Sequence, residues 1–167
     1  MKRIIGDYTD AIERATRVLN SVVIEQRDLV QCDTICYRVE TNERYDIIKN
    51  QLAQQAILLD ASQVHGREIS VFSLNEPLVA NRWDSISYIE LPQPKPGSDY
   101  VEGIEHVQFV TRQSLEAFHE KYHHLDFDQK GLASKLNPLL RLQAEDITLK
   151  FHDKHMGAVI SLERREH

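Results

Sequence analysis

The stretch GIEHVQFV, at residues 103–110, alternates apolar and polar side chains, which is the pattern of a strand with one buried face. Val107 and Phe109 fall on one side of this strand. His106 and Gln108 fall on the other, so the histidine belongs to the polar side. The stretch therefore predicts a strand that holds an imidazole over a polar surface.

A second strand pattern, DSISYIEL at residues 84–91, places a carboxylate at a comparable position. Its residue Glu90 lies on the same face as Ile86 and Tyr88. A third pattern, DITLKFHD, ends in His152. Imidazole nitrogens and carboxylate oxygens are the usual ligands of Zn, Ni, Mn and Fe. We therefore predict a metal site at Glu90, His106 and His152.

An ordinary structural role remains an alternative for each of these residues. A glutamate at a strand end is usually a solvated residue at the rim, and a histidine in a strand is usually satisfied by one hydrogen bond. We also predict that Arg38, Arg67 and Tyr88 bind the ligand, because an arginine in the same concavity can hold a carboxylate or phosphate through two hydrogen bonds.

The order of elements predicts an α+β fold in which a βαβββ module occurs twice after an extra N-terminal helix. We assign the helix to residues 1–30, the modules to 31–97 and 98–167, and all three to one compact domain. The helix itself is expected over 8–27, capped by Thr9 or Asp10. The pattern in the tail, residues 155–167, does not decide between a helix and a strand.

The predicted elements of each module follow from periodicity and from turn residues. The first module has strands at 33–40, 56–62, 67–74 and 84–91, with a helix at 42–55, a turn at His65–Gly66 and a break at Asn75–Pro77. A segment rich in Pro and Gly, residues 93–103, links the modules. The second module has strands at 105–111, 127–132, 138–142 and 146–153, with a helix at 112–125.

Composition excludes several classes of function. The chain has 167 residues, of which 41% are hydrophobic and 28% charged, and a net charge of −6. This charge argues against a nucleic-acid partner, because binding to phosphates needs clustered Lys and Arg. No stretch approaches the ~20 apolar residues of a membrane span, and no apolar signal core precedes Asp7, so we expect a cytoplasmic protein. Either a monomer or a homodimer is compatible with the sequence.

The two cysteines, Cys32 and Cys36, lie four residues apart on one predicted strand. At ~3.3 Å a residue they are roughly 13 Å apart, which is beyond the reach of a disulfide. We expect reduced thiols. A zinc site built on these two cysteines alone is not expected.

Several motifs, taken together, resemble the YecM family, which belongs to the vicinal oxygen chelate (glyoxalase-like) superfamily. They extend from about Gln31 to Ile160 and read DTICYR, HGREISVFSLNEP, ISYIELPQPKPG, GIEHVQFV, LNP and ITLKFHDK. The resemblance implies two modules that curl around a shared cleft, with metal ligands from the first and fourth strands of each. These positions fall at Thr34, Glu90, His106 and the neighbourhood of His152.

The chain departs from the family pattern at Thr34, where the resemblance implies a histidine within DHIS and this chain has DTIC. A hydroxyl is a poor ligand for a transition metal. Asp33 should point away from the cleft unless the strand slips by one residue. Either three ligands hold a divalent metal with one open position, or no metal binds and the cleft takes an organic ligand.

Three functions follow from these alternatives. The first is a small-molecule-binding protein of this superfamily, with or without a divalent metal. The second is a metal-dependent isomerase, lyase or dioxygenase that acts on a small oxygenated substrate, since the fold supports all three chemistries. The third is an interaction protein that uses its N-terminal helix and acidic surface.

Overall fold

A single mixed sheet forms the centre of the molecule in a computed structural model that describes residues 1–99, 101–145 and 147–166. Its strands are β1 Leu29–Arg38, β2 Ala56–Val64, β3 Arg67–Ala80, β4 Trp83–Pro92, β5 Gly103–Thr111, β6 Leu140–Gln143 and β7 Thr148–His152. They follow the order β2-β3-β4-β1-β5-β7-β6 across the sheet. The α+β class is confirmed.

Within these residues five α-helices accompany the sheet: α1 Lys2–Ile5, α2 Tyr8–Ser21, α3 Asn42–Ala53, α4 Leu115–Lys121 and α5 Met156–Glu166. The side chains of Asp7, Thr41 and Ser114 accept hydrogen bonds from the first turns of α2, α3 and α4. Each thereby satisfies a backbone N–H group that the helix itself leaves unpaired. None of the helices in the described ranges combines the length and the apolar character that a membrane span requires.

The paired-module topology places β1 and β5, the first strands of the two repeats, side by side in antiparallel orientation. Each is also paired in parallel with the last strand of its own repeat, β1 with β4 and β5 with β7. The sheet is therefore built symmetrically about the β1–β5 pair. This arrangement confirms the repeat predicted from the order of elements.

Some predicted boundaries are wrong. The strand expected at 127–132 is a single bridge between Asp128 and Arg141, followed by a 3-10 helix at Lys130–Ala133. The helices expected at 8–27 and 112–125 are shorter, and Asp7 rather than Thr9 or Asp10 caps the first. β3 continues through the expected break at Asn75–Pro77 with a shift in register. The undecided tail is the helix α5.

The two faces of the sheet differ in what covers them. Helices α2, α3 and α4 pack on one face, where Ile35, Phe72 and Phe109 belong to the main hydrophobic core. On the opposite face, which we call the cleft face, α5 forms a separate small cluster in which Met156 and Ile160 pack against Val71. The cleft face therefore has less apolar packing, and it carries the predicted polar residues.

Three register shifts interrupt the central β1–β5 pair, and two of them are bulges at an acidic residue. Cys32 lies opposite Phe109 and Thr34 opposite Gln108, so Asp33 is an extra residue in β1. Further along, Cys36 lies opposite His106 and Tyr37 opposite Ile104, which makes Glu105 an extra residue in β5. A bulge leaves its extra residue outside the ladder and changes the direction of its side chain. The strand parity expected from the sequence therefore fails at both acidic residues.

Candidate functional site

A cavity of about 740 Å³ opens between the cleft face and α5. Its floor is polar and is formed by Glu90, Gln108, Lys150 and His152. Its walls include the apolar side chains of Ile69, Val71, Leu136, Leu139, Met156, Val159 and Ile160. A cavity of this size, with apolar walls and a few convergent polar groups, is typical of small-molecule sites.

A hydrogen-bonded network joins Glu90 to His106. The Gln108 amide donates to Glu90 Oε2 at 2.7 Å and lies 3.2 Å from His106 Nε2, while this nitrogen and Glu90 Oε2 are 3.7 Å apart. Burial disfavours the charge of Glu90, but Lys150, His106 and Gln108 outweigh burial and hold the pKa of this carboxyl below its usual range. Glu90 is therefore an ionised carboxylate at neutral pH.

The other side of the His106 ring faces a second group of ligating atoms. His106 Nδ1 lies 3.5 Å from Glu105 Oε2, and Cys36 Sγ lies 3.8 Å from the same oxygen. The donor atoms of these three residues all lie within 4.8 Å of one another. The imidazole of His106 therefore separates two polar regions, one bordering the cavity and one at the bulge in β5.

Lys150 and His152 form the part of the floor that β7 contributes. Burial and, to a smaller extent, the charge of Lys150 lower the pKa of His152 to about 4, so the ring is neutral at pH 7. Its Nδ1 lies 2.7 Å from Asn137 Oδ1, which can only accept, so Nδ1 carries the proton. Nε2 is then an acceptor, and it is buried without a hydrogen-bond partner among the described residues.

Lys150 has no hydrogen bond or ion pair within the part of the chain that the structure describes, although it lines the cavity. Its place in the β5–β7 ladder identifies the equivalent residue in the first repeat. Cys36, two residues after Thr34, pairs with Glu90, and Gln108, two residues after His106, pairs with Lys150. Lys150 is therefore the counterpart of Glu90 in the second repeat, and His152 lies two residues beyond it, opposite Val110.

This register identifies the residues at the four positions where the resemblance implies ligands of a divalent metal. The four equivalent positions hold Thr34, Glu90, His106 and Lys150, of which only two offer a good ligand for a transition metal. An ammonium group replaces a ligand, and the Gln108 amide lies between the two remaining donors. The donor set does not fit a divalent ion at these positions. The metal site predicted from the sequence at Glu90, His106 and His152 stays a prediction. Glu90 and His106 are in contact, and Glu90 and His152 both line the cavity.

The three residues predicted to bind a ligand lie outside the cavity lining. Arg38 is 3.8 Å from Glu105 Oε1, and Arg67 donates to the Gln93 carbonyl at 2.9 Å. Tyr88 lies beneath α5, where its ring stacks on His155 with the two planes 6° apart. Arg38 therefore lies at the bulge in β5, Arg67 lies at the start of β3 beside the segment after β4, and Tyr88 lies at the contact with α5.

Asp33 reaches the cleft face because of its bulge, contrary to the sequence expectation. Its carboxylate accepts a hydrogen bond of 2.7 Å from the backbone N–H of Met156, at the start of α5. Burial raises the pKa of Asp33 to about 6, against the effect of that hydrogen bond. Asp33 therefore anchors the helix that forms one wall of the cavity.

Sequence reasoning missed Gln108, Lys150 and Glu105 as site residues. Gln108 shares the parity of His106, and Lys150 shares that of His152, so alternation alone points to both. Glu105 has no such signal, because its direction depends on a bulge that no glycine or proline marks. α5 was missed as a wall because its pattern did not decide its secondary structure.

Comparisons with known proteins agree with this fold. The family model described as YecM protein matches residues 1–136. Protein YecM of Escherichia coli (strain K12) is 27% identical, in a match that covers 77% of this chain and 74% of the relative. The family match spans the first repeat and the second as far as the segment that precedes β6.

Solved structures show the same fold. A structural genomics target, Protein EC4020, superposes with a TM-score of 0.77 at 24% identity, covering 97% of this chain and 92% of that chain. Methylmalonyl-CoA epimerase from Mycobacterium tuberculosis gives a TM-score of 0.54 at 11% identity, covering 77% and 91%. The chain shares the fold of these proteins, and it belongs to the YecM protein family.

Proposed function

We propose that the protein binds a small amphipathic organic molecule in the cavity between the cleft face and α5, with no ion at the superfamily's four ligand positions. The observation that carries this proposal is Lys150, an ammonium group on the cavity floor that acts on Glu90 through its charge but has no hydrogen bond and no ion pair within 4 Å among the described residues. An ammonium group has three donors and favours an acceptor oxygen.

The lining supports a ligand with two chemically different ends. A carbonyl or carboxylate oxygen accepts from Lys150, and a hydroxyl of the same molecule donates to His152 Nε2, whose lone pair has no donor among the described residues. The apolar part of the ligand packs against Leu136, Met156 and Ile160. Burial of this part supplies affinity at roughly 25 cal/mol per Å², and the polar floor fixes orientation.

A metal-dependent isomerase, lyase or dioxygenase is the second candidate, and one contact favours it. Glu90 Oε2 and His106 Nε2 are 3.7 Å apart, and two ligands of one ion, each about 2.1 Å from it, are typically about 3–4 Å apart. For an ion to bind between them, the Gln108 amide has to move away from both atoms. We favour the organic ligand because Lys150 stands where the fourth ligand would be and the Gln108 amide lies between the two remaining donors.

The cysteines bear on where the protein works. Cys32 and Cys36 are both free and buried, and thiols persist in a reducing compartment. We therefore propose a cytoplasmic location.

The test is a thermal-shift screen of the full chain against a library of small organic acids and hydroxy-carbonyl compounds. A ligand at a hundred times its Kd stabilises the folded state by about 2.7 kcal/mol. We expect hits that are lost in Lys150→Ala and retained in Lys154→Ala, a matched lysine whose partner is Asp153. Hits that survive Lys150→Ala would move the ligand away from this floor. A stoichiometric Ni²⁺ or Mn²⁺ complex that is lost in Glu90→Gln but retained in Cys36→Ser would favour the metal-dependent enzyme.

A further inference from the structure

We propose that Cys36, Glu105 and His106 form a zinc site that is distinct from the cavity and from the superfamily's ligand positions. The ion would be bound by Cys36 Sγ, Glu105 Oε2 and His106 Nδ1. At the superfamily's positions the same histidine would instead use Nε2, on the opposite side of its ring, towards Glu90. The two regions therefore share a side chain but no ligand atom.

The distances suit a zinc ion without rearrangement of the backbone. Glu105 Oε2 lies 3.8 Å from Cys36 Sγ and 3.5 Å from His106 Nδ1, and all three donor atoms fall within 4.8 Å of one another. In a tetrahedral site with Zn–S near 2.3 Å and Zn–N near 2.0 Å, ligand atoms are about 3.3–3.6 Å apart. Small side-chain rotations bring the three atoms into this range.

The bulge in β5 is what assembles the three ligands. Cys36 and His106 are direct partners across the β1–β5 ladder, so their side chains lie on the same face. Glu105 is the extra residue of the bulge, and its carboxylate reaches the same side as its neighbour His106. In a regular strand, consecutive side chains point to opposite faces. A Glu-His pair can therefore act together here only because the strand is irregular.

Two neighbouring groups hold the ligands in place. Arg38 contacts Glu105 through Oε1 at 3.8 Å and leaves Oε2 towards the cysteine and the histidine. With zinc on Nδ1, the imidazole proton moves to Nε2, which lies 3.7 Å from the Glu90 carboxylate and 3.2 Å from the Gln108 amide nitrogen, so the Gln108 amide has to turn away before Nε2 donates to Glu90. A carboxylate that accepts from the distal nitrogen is the usual partner of a zinc-bound histidine. Cys36 and His106 are buried, and Glu105 is about one-third exposed, with 32% of its side-chain surface accessible, so Glu105 provides the route for the ion.

Zinc binding would release one proton and leave the site electrically neutral. Burial raises the pKa of the Cys36 thiol, so the ion displaces the thiol proton, which is released to solvent as the Zn–S bond forms. One thiolate and one carboxylate then neutralise the two positive charges of zinc, and His106 binds as a neutral ligand. A thiolate, an imidazole and a carboxylate together favour zinc over magnesium or calcium, which prefer oxygen ligands.

The test uses the metal-free full chain, purified without a histidine tag and titrated with Co²⁺ in place of Zn²⁺. We expect a thiolate-to-cobalt charge-transfer absorption at one equivalent, which Zn²⁺ removes by displacement. Cys36→Ser should abolish this band. The matched control is Cys32→Ser, since Cys32 is equally buried but belongs to the helix-covered core, and it should keep the band.

Two further variants test the carboxylates on either side of His106. Glu105→Gln should weaken Co²⁺ binding at least tenfold, and Glu90→Gln should weaken it by about tenfold through the orientation of His106. Circular dichroism establishes that each variant is folded. If Cys36→Ser does not fold, the Co²⁺ affinity of Glu105→Gln tests the proposal instead. The Glu105 side chain is partly exposed, so its replacement should leave the fold intact. An absent band in the wild type, a band that depends on Cys32, or an unchanged affinity in Glu105→Gln would overturn the proposal.

Discussion

The first strands of the two repeats use the same backbone device with opposite electrostatic results. In β1 the bulge carries Asp33, one residue before Thr34, and in β5 it carries Glu105, one residue before His106. Burial raises the pKa of Asp33 to about 6. The neighbouring His106 lowers the pKa of Glu105 to about 2, against the effect of its partial burial. A bulge therefore determines where a carboxylate points, whereas the surrounding groups determine its charge.

The two repeats also differ in the residues that their last strands, β4 and β7, place beside the first strands. The first repeat contributes Thr34 and Glu90, and the second contributes His106 and Lys150, at equivalent places in the register. A symmetric set of four ligands would chelate a metal. This asymmetric set instead places a carboxylate, an ammonium group and an imidazole on one face of the sheet. The difference between the halves, rather than their common fold, is what points to an organic ligand.

The largest effect is expected for Asp33→Asn. Asp33 has a pKa of about 6 in the folded protein and 3.8 as the usual value, so the folded state binds more protons between these values and wild-type stability falls as the pH rises from about 4 to about 6. The substituted amide keeps an acceptor oxygen for the Met156 N–H and carries no charge. We expect the variant to be more stable at pH 7, by up to about 3 kcal/mol.

Urea unfolding at pH 4 and pH 7 measures this difference. Wild type and variant should be closer in stability at pH 4 than at pH 7. A variant that is less stable at pH 7 would show that the ionised carboxylate stabilises α5, in contradiction to the expected cost of its burial.

Lys150→Met should lower stability by about 2 kcal/mol at pH 7, because it removes the charge that offsets the burial of Glu90. Combining it with Glu90→Gln should recover part of the loss. A double-mutant cycle by chemical denaturation measures the coupling between the two residues. Strictly additive effects would mean that Lys150 does not interact with Glu90 and is available only for a ligand.

Gly157→Ala tests the contact between α5 and the first repeat. A Cβ atom at this position would clash with Tyr88 Oη, so α5 or the tyrosine has to move, at a cost of about 1–2 kcal/mol. Tyr88→Phe removes the hydroxyl and should relieve most of this cost in the double variant. If Gly157→Ala matches the wild type in its unfolding midpoint, α5 does not lie this close to β4.

Glu105→Gln is expected to have the smallest effect on stability. Its pKa of about 2, against a usual 4.5, means that ionised Glu105 stabilises the fold above pH 4.5 and that this contribution is lost as the pH falls towards 2. Because the side chain is about one-third exposed, solvent screening limits the loss in the variant to less than about 1 kcal/mol at pH 7. Unfolding curves at pH 3 and pH 7 should converge at the lower pH, and a constant difference would contradict this.

Much of the fold could be predicted from the sequence, since alternation and helical periodicity located most of the strands and the repeat of the modules. The positions of Glu90 and His106 over one surface followed from the same alternation. Asp33 and Glu105 could not be placed, because parity holds only for a regular strand and each lies in a bulge. Alternation places Lys150 on the same face as His152, but its equivalence to Glu90 depends on the residue of β5 with which it pairs, and the sequence does not give that register.

Methyl NMR of the full chain, while a hit from the screen is titrated, tests whether an organic ligand binds on this floor. We expect saturable shifts of the Met156 and Ile160 methyl groups, which line the cavity, and their loss in Lys150→Ala but not in Lys154→Ala. Shifts that avoid these two residues, or that persist without Lys150, would contradict binding of an organic ligand on this floor.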